Sequence, residues 1–170
     1  MDFLVRAILY VAPMYFANSA AMVFGGRTPV DFGARFPDGK PVFGKGKTFK
    51  GLVFGIAAGA MVAAILKVLL PEYAVAGFGA DYNVLGFLLS AGAVLGDLVG
   101  SFIKRRIGIE QGKEAPLLDQ LDFVIGAIAL GSIVYVPSVA LALAVIIATP
   151  FIHRISNYIA FKANLKKVPW

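Results

Sequence analysis

The chain has 170 residues, 59% of them hydrophobic and only 15% charged, with a mean hydropathy of +0.80. A soluble domain of this size has no interior for so much apolar surface, and the apolar residues fall in blocks about as long as a bilayer is thick, so an all-α integral membrane protein forming one polytopic domain over 1–170 is expected. The net charge of +6, the absence of cysteine and the single histidine exclude thiol nucleophiles, disulfides and Cys- or His-built zinc sites, and leave any metal to carboxylates.

The first apolar block, 3–24, begins after Asp2 and has no basic residues ahead of it, so it is expected to be an anchor helix and not a cleaved leader, although Ala17-Asn18-Ser19 weakly mimics a cleavage site. Asn18 lies within this block, where bonding to a neighbouring helix and a role in a site are both open. Residues 25–50 form a long polar loop with six Lys or Arg, two Asp and Gly and Pro throughout; a connection of this length is usually functional or disordered. Its GKGKT segment falls short of a Walker phosphate loop because proline stands at 41, where the pattern needs glycine. What the segment does offer is Lys45 and Lys47 on a flexible backbone ahead of a helix capped by Thr48, an anion cradle, unless these lysines serve only to orient the chain.

The second span, 51–70, carries Gly51, Gly55 and Gly59, and the third, 83–103, carries Gly92, Gly96 and Gly100. Small residues every four positions let helix backbones approach, so these two helices are expected to pack against each other. A short acidic link, 71–82, separates them. Beyond the loop 104–120 the apolar stretch is too long for one span and is broken at Tyr135-Val136-Pro137-Ser138, which gives two helices, 119–136 and 138–160, the last kinked by Pro150. His153 beside Arg154 reads as interfacial, and Lys162, Lys166, Lys167 and Trp170 as a tail anchor.

Five spans put the termini on opposite sides. The first loop holds six basic residues, the loop 104–120 four and the tail from Arg154 four, against Arg6 and Lys67 on the other face. The N-terminus is therefore expected outside, and the C-terminus and both charged loops in the cytoplasm. Because the basic residues lie between apolar blocks, anionic membrane lipids and a polyphosphate substrate are the expected partners, and nucleic acid is not.

The chemistry concentrates between Gly96 and Phe123, GDLVGSFIKRRIGIEQGKEAPLLDQLDF. Asp97, Ser101 and Lys104 share a helix face, as do Asp119 and Asp122. With the two helices side by side, three carboxylates converge beneath a basic loop, as needed to hold a divalent metal against a phosphate chain. Such a site is poorly equipped to make a nucleophile, but it suits one that is already an anion, such as a lipid phosphate attacking a nucleoside triphosphate. The alternative is a small ion or metabolite transporter with Asp97 as an intramembrane cation relay; clustering of the charges at one end argues against it.

The run G-D-x-x-x-S-F-I-K-R-R followed by D-Q-L-D-F resembles the signature of CTP-dependent phosphatidate cytidylyltransferases. With N-S in the first span, P-V-D-x-G and G-K-G-K-T-F-K-G in the first loop and the short five-span chain, it is most similar to the archaeal, CDP-archaeol-forming branch. It departs from the bacterial pattern in having GIEQGKEAPLL in place of P-G-H-G-G, and Gln120 where arginine is usual. The resemblance implies transfer of CMP from CTP to unsaturated archaetidic acid, 2,3-bis-O-geranylgeranylglycerol 1-phosphate, with release of pyrophosphate. It implies Mg2+, in two divalent-metal positions, on Asp97, Asp119 and Asp122. It implies phosphate contacts from Ser101, Lys104 and Arg105, assisted by Lys47 and Thr48, and an isoprenoid ether lipid entering laterally from the cell membrane.

Overall fold

The structure, a computed structural model, describes residues 2–164 apart from the side chains of Val75, Ala76 and Ala160; the expected tail anchor at Lys166, Lys167 and Trp170 lies outside the described residues. The order is α1 (Phe3–Val23), α2 (Phe49–Leu69), the short α3 (Pro71–Ala76), α4 (Tyr82–Arg106), α5 (Leu118–Gly131) and α6 (Val139–Lys162). Helix starts follow their caps: Asp2 accepts from the Leu4 amide, Thr48 from Gly51, Asp81 from Asn83 and Val84, and Ser138 from Leu141, each satisfying an amide the helix leaves unpaired. α6 runs on through Pro150.

Among the described residues four helices are long and apolar enough to cross a membrane: α1, α2, α4 and Val139–Ile159 of α6. α5 has 14 residues, about 21 Å, and ends five residues before the expected 136. Ser132 turns its hydroxyl onto the Ile128 carbonyl, and Pro137 disfavours helix in the residue before it. The chain still traverses the bundle. Asp119, at the start of α5, faces the first loop, whereas Tyr135 packs on Tyr10 and Phe78 at the opposite end. α5 and the turn after it thus run from the loop end of the bundle to its opposite end, although α5 is itself shorter than the four helices of spanning length.

α4 is the central helix, 61% buried over its span, where α2 and α6 are 17% buried; α1, α2 and α5 all pack on it. The large exposed side chains, such as Val68, Ile133, Val139 and Phe151, face outward, as a bilayer requires. The glycine stripes do not simply face each other as expected. A Cβ on Gly51 or Gly55 would meet the α1 carbonyls of Ala21 or Ala17, and one on Gly59 would meet both the Pro13 carbonyl and Ser90. Those on Gly92, Gly96 and Gly100 would overlap α5 at Gly126 and Asp122. Among the described residues α4 and α5 thus approach backbone to backbone, which sets the start of α5, with Asp119 and Asp122, beside the second half of α4.

Candidate active site

The first loop is folded. An antiparallel bridge joins Pro29 to Thr48 and another joins Arg35 to Pro41; the Val30 amide donates to the Lys47 carbonyl at 2.8 Å and Phe49 to Thr28 at 3.1 Å. Asp31 accepts from the amides of Gly33, Phe43 and Gly44. Partial burial pushes the Asp31 carboxyl up, but these bonds outweigh it and hold the group below the usual aspartate range. The anchor thus holds at neutral pH and loosens only as pH falls below that range. Gly44, at φ 101°, makes a turn that a Cβ would strain. Gln111 of the second loop accepts from the Lys45 amide at 3.1 Å, so the two loops lie at the same end of the bundle.

That arrangement sets Lys47 on α4. Its Nζ donates to both oxygens of Asp97, at 2.6 and 2.5 Å. About two turns further along α4, Lys104 Nζ donates to Asp119 Oδ1 at 2.7 Å and to the Lys113 carbonyl at 2.9 Å, while Asp119 Oδ2 accepts from the Ala115 amide at 2.8 Å. Leu117, in the left-handed region at φ 66°, makes the turn that returns α5 beneath this amide, at a cost of about 1 kcal/mol. Both ion pairs open on one cavity of about 400 Å³, lined also by Thr48, Asn18, Ser19 and His153. Thr48 is buried, and its hydroxyl accepts from Gly26 and Gly51, capping α2 and tying both ends of the loop together.

Asp122, Ser101 and Arg105 are placed differently from expectation: none of them lines this cavity. Asp122 lies against Gly100, where a Cβ would collide with its carboxylate, and its Oδ1 accepts from the Phe123 amide at 2.6 Å. The charges of Asp97, Lys47 and Asp119 all reach it. Ser101 and Arg105 are buried at 8% and 7% exposure, with Arg105 close enough to feel the charge of Asp119. Among the described residues no three acidic or imidazole groups close on a common point. The expected cluster of Asp97, Asp119 and Asp122 is thus not drawn together, because lysines engage the first two and the third is set back against α4. The donor type still suits a hard divalent cation, since the carboxylates of Asp97 and Asp119 are the oxygen ligands such ions take; a metal there would exchange with an ammonium already seated.

Sequence reasoning missed the far wall of the cavity. His153, Ser156 and Asn157 of α6 line it together with Tyr15 of α1. Thr149 gives its proton to the Val145 carbonyl at 2.6 Å, so the Tyr15 hydroxyl is the donor in its 2.7 Å bond to Thr149. His153 and Asn157 are one helical turn apart, 3.1 Å between Nδ1 and Nδ2, the spacing that would have signalled a polar face on an otherwise apolar span. They and Asp119 also line a second cavity of about 510 Å³, walled by Ile155 and Tyr158 and rimmed by Arg154 and Glu114.

Comparison with known proteins supplies the context. The CarS-like family model, CDP-archaeol synthase, matches residues 1–170. The CDP-archaeol synthase of Methanocaldococcus jannaschii is 45% identical, covering 98% of this chain and 97% of its own. That of Pyrococcus horikoshii is 42% identical over 100% and 99%. A solved intramembrane enzyme for archaeal membrane lipid biosynthesis superposes with a TM-score of 0.81 at 38% identity, covering 92% of this chain and 94% of that one.

Proposed function

The chain belongs to the CDP-archaeol synthase family, and from that premise we propose that its loop-end cavity transfers CMP from CTP to an unsaturated archaeal lipid phosphate. Membership decides for a CTP-dependent membrane cytidylyltransferase over a transporter. The observation that carries the finer reading is the pair of lysine–carboxylate contacts, Lys47 with Asp97 and Lys104 with Asp119, facing one polar cavity.

In this reading an oxygen of the lipid phosphate attacks the α-phosphorus of CTP, the bond from that phosphorus to the bridging oxygen breaks, and pyrophosphate leaves with the electron pair. No protein group need take a proton from the nucleophile, which is already an anion. Lys47 and Lys104 leave their carboxylates to neutralise the phosphate oxygens, and Asp97 and Asp119 would then be the residues that hold Mg2+. When bound, that ion supplies charge neutralisation at the α- and leaving phosphates. Asp122 stands behind them against Gly100, and the Arg105 guanidinium adds positive charge near Asp119 from within α4. The second cavity, which shares Asp119, His153 and Asn157 with the first and is walled by Ile155 and Tyr158, suits the glycerol ether end of the lipid.

Purified protein given CTP and Mg2+ is expected to release pyrophosphate only when an isoprenoid ether lipid phosphate is added. Equal release without lipid phosphate, or none with it, overturns the reading. Orientation is checked separately: in this cysteine-free chain, single cysteines at Gly39 and Lys113 are expected to react with impermeant reagent from the cytoplasmic side and one at Tyr73 from outside. Labelling of Gly39 from outside reverses the orientation.

A further inference from the structure

The basic cluster ending α4 contains one residue that the reaction leaves unused. Arg106 points away from the cavity and into the first loop. Its Nη1 donates to Asp38 Oδ1 at 2.9 Å and its Nη2 to the Pro41 carbonyl at 2.5 Å. The guanidinium lies over the rings of Phe36 and Phe102, 4.5 and 4.9 Å from their centroids, and these two rings meet edge to face. Its own carbonyl accepts from Lys40 Nζ at 3.1 Å. A single residue thus grips the loop by two hydrogen bonds, one of them also an ion pair, a stacking contact and a backbone acceptor.

The gripped segment is itself stiff. The Val42 amide donates to the Ala34 carbonyl and Phe36 to Lys40, so 34–42 is a small closed hairpin. From Pro41 the chain reaches Lys47 in six residues, held on the way by Asp31 at Phe43 and Gly44 and by Gln111 at Lys45. Asp97 and Arg106 stand nine residues apart on one helix, about 13 Å along its axis. The loop is therefore stretched between two points of α4, with Lys47 on Asp97 at one end and the hairpin on Arg106 at the other.

We infer that Arg106 is a positioning residue, which fixes the first loop on α4 so that Lys47 is delivered to the nucleotide end of the cavity. Only arginine fits this seat: a planar fork satisfies a carboxylate and a carbonyl together while stacking on the rings, which a lysine ammonium cannot do. The inference rests on the proposed use of Lys47 for the triphosphate, and the test separates the two.

Arg106→Ala is expected to weaken CTP binding about tenfold by calorimetry, and to speed hydrogen exchange of the amides of Val30 and Gly44 to Lys47. In the Lys47→Met background, adding Arg106→Ala should change CTP binding less than twofold, because the loop then carries nothing to misplace. Arg106→Lys should recover less than half of the loss, in free energy. Asp38→Ala, at a more exposed position, gives the same pattern in weaker form and serves if Arg106→Ala does not fold. A merely structural role lowers thermal stability but leaves CTP affinity unmoved, or gives additive losses in the double variant; either outcome overturns the inference. Faster loop exchange in a protein that binds no CTP would confirm the clamp and refute the nucleotide role of Lys47.

Discussion

Asp97→Asn is expected to lower CTP-dependent turnover at least a thousandfold while the protein still folds and inserts. The substitution keeps the shape of the side chain and removes its charge. Asp97 holds Lys47 through both carboxylate oxygens at 2.6 and 2.5 Å and is the proposed metal ligand on the most buried span, so an amide there loses the cation and misplaces the lysine together. A thousandfold corresponds to about 4 kcal/mol at the transition state, within reach for a lost metal ligand. Folding suffers less, because the pair is about a quarter exposed and solvent screens the lysine left behind. Asp119→Asn should behave alike, with the added loss of the bond from the Ala115 amide. Turnover and thermal stability measured on one preparation distinguish the two effects; near-normal activity in both variants would rule out the proposed centre.

Gly96→Leu is expected to act in the opposite way, destroying the fold and not merely the chemistry. A Cβ at Gly96 would overlap the Asp122 carbonyl oxygen and stand 3.0 Å from the Gly126 Cα. What it meets is backbone, so no side chain can move aside, and a leucine has to force α4 and α5 apart by several ångströms. Overpacking of a core costs about 1–3 kcal/mol where side chains can adjust, and more is expected where two backbones are in contact. Val99→Leu, at an outward-facing position 56% exposed, is the control. The first variant should lose its cooperative melting transition in detergent and the second should keep it. A normal melt for Gly96→Leu would mean that the α4–α5 contact is looser than described.

The helical plan was legible because a bilayer demands long apolar blocks, and in this chain polar loops separate them cleanly. The end of α5 was less legible, since Ile133 to Val136 are apolar but stand just ahead of Pro137, and hydropathy alone does not register that the helix has already ended. Glycine spacing announced close packing but pointed the two stripes at each other: Gly92, Gly96 and Gly100 instead meet α5, whose single matching Gly126 makes no stripe. Of the site, Asp97, Asp119, Lys104, Lys47 and Thr48 were all marked by charge or capping position. Their pairing was not, because Lys47 and Asp97 are fifty residues apart and are brought together only by the folded strap 25–50. The same distance hid Arg106, whose partners Asp38 and Pro41 lie in what composition describes as a flexible loop. His153 was read as interfacial, and Asn157 was not singled out, because helix periodicity shows which residues share a face and not which face turns inward.

The central claim is that Asp97 and Asp119 exchange their lysines for a divalent metal when CTP enters the loop-end cavity. It is tested most directly by anomalous diffraction from crystals grown with Mn2+ and CTP. The expected result is a manganese peak within about 2.3 Å of carboxylate oxygens of Asp97 or Asp119, with Nζ of Lys47 and Lys104 turned to phosphate oxygens. Manganese bound away from both carboxylates, with the two lysine–aspartate pairs intact beside an ordered CTP, would contradict it.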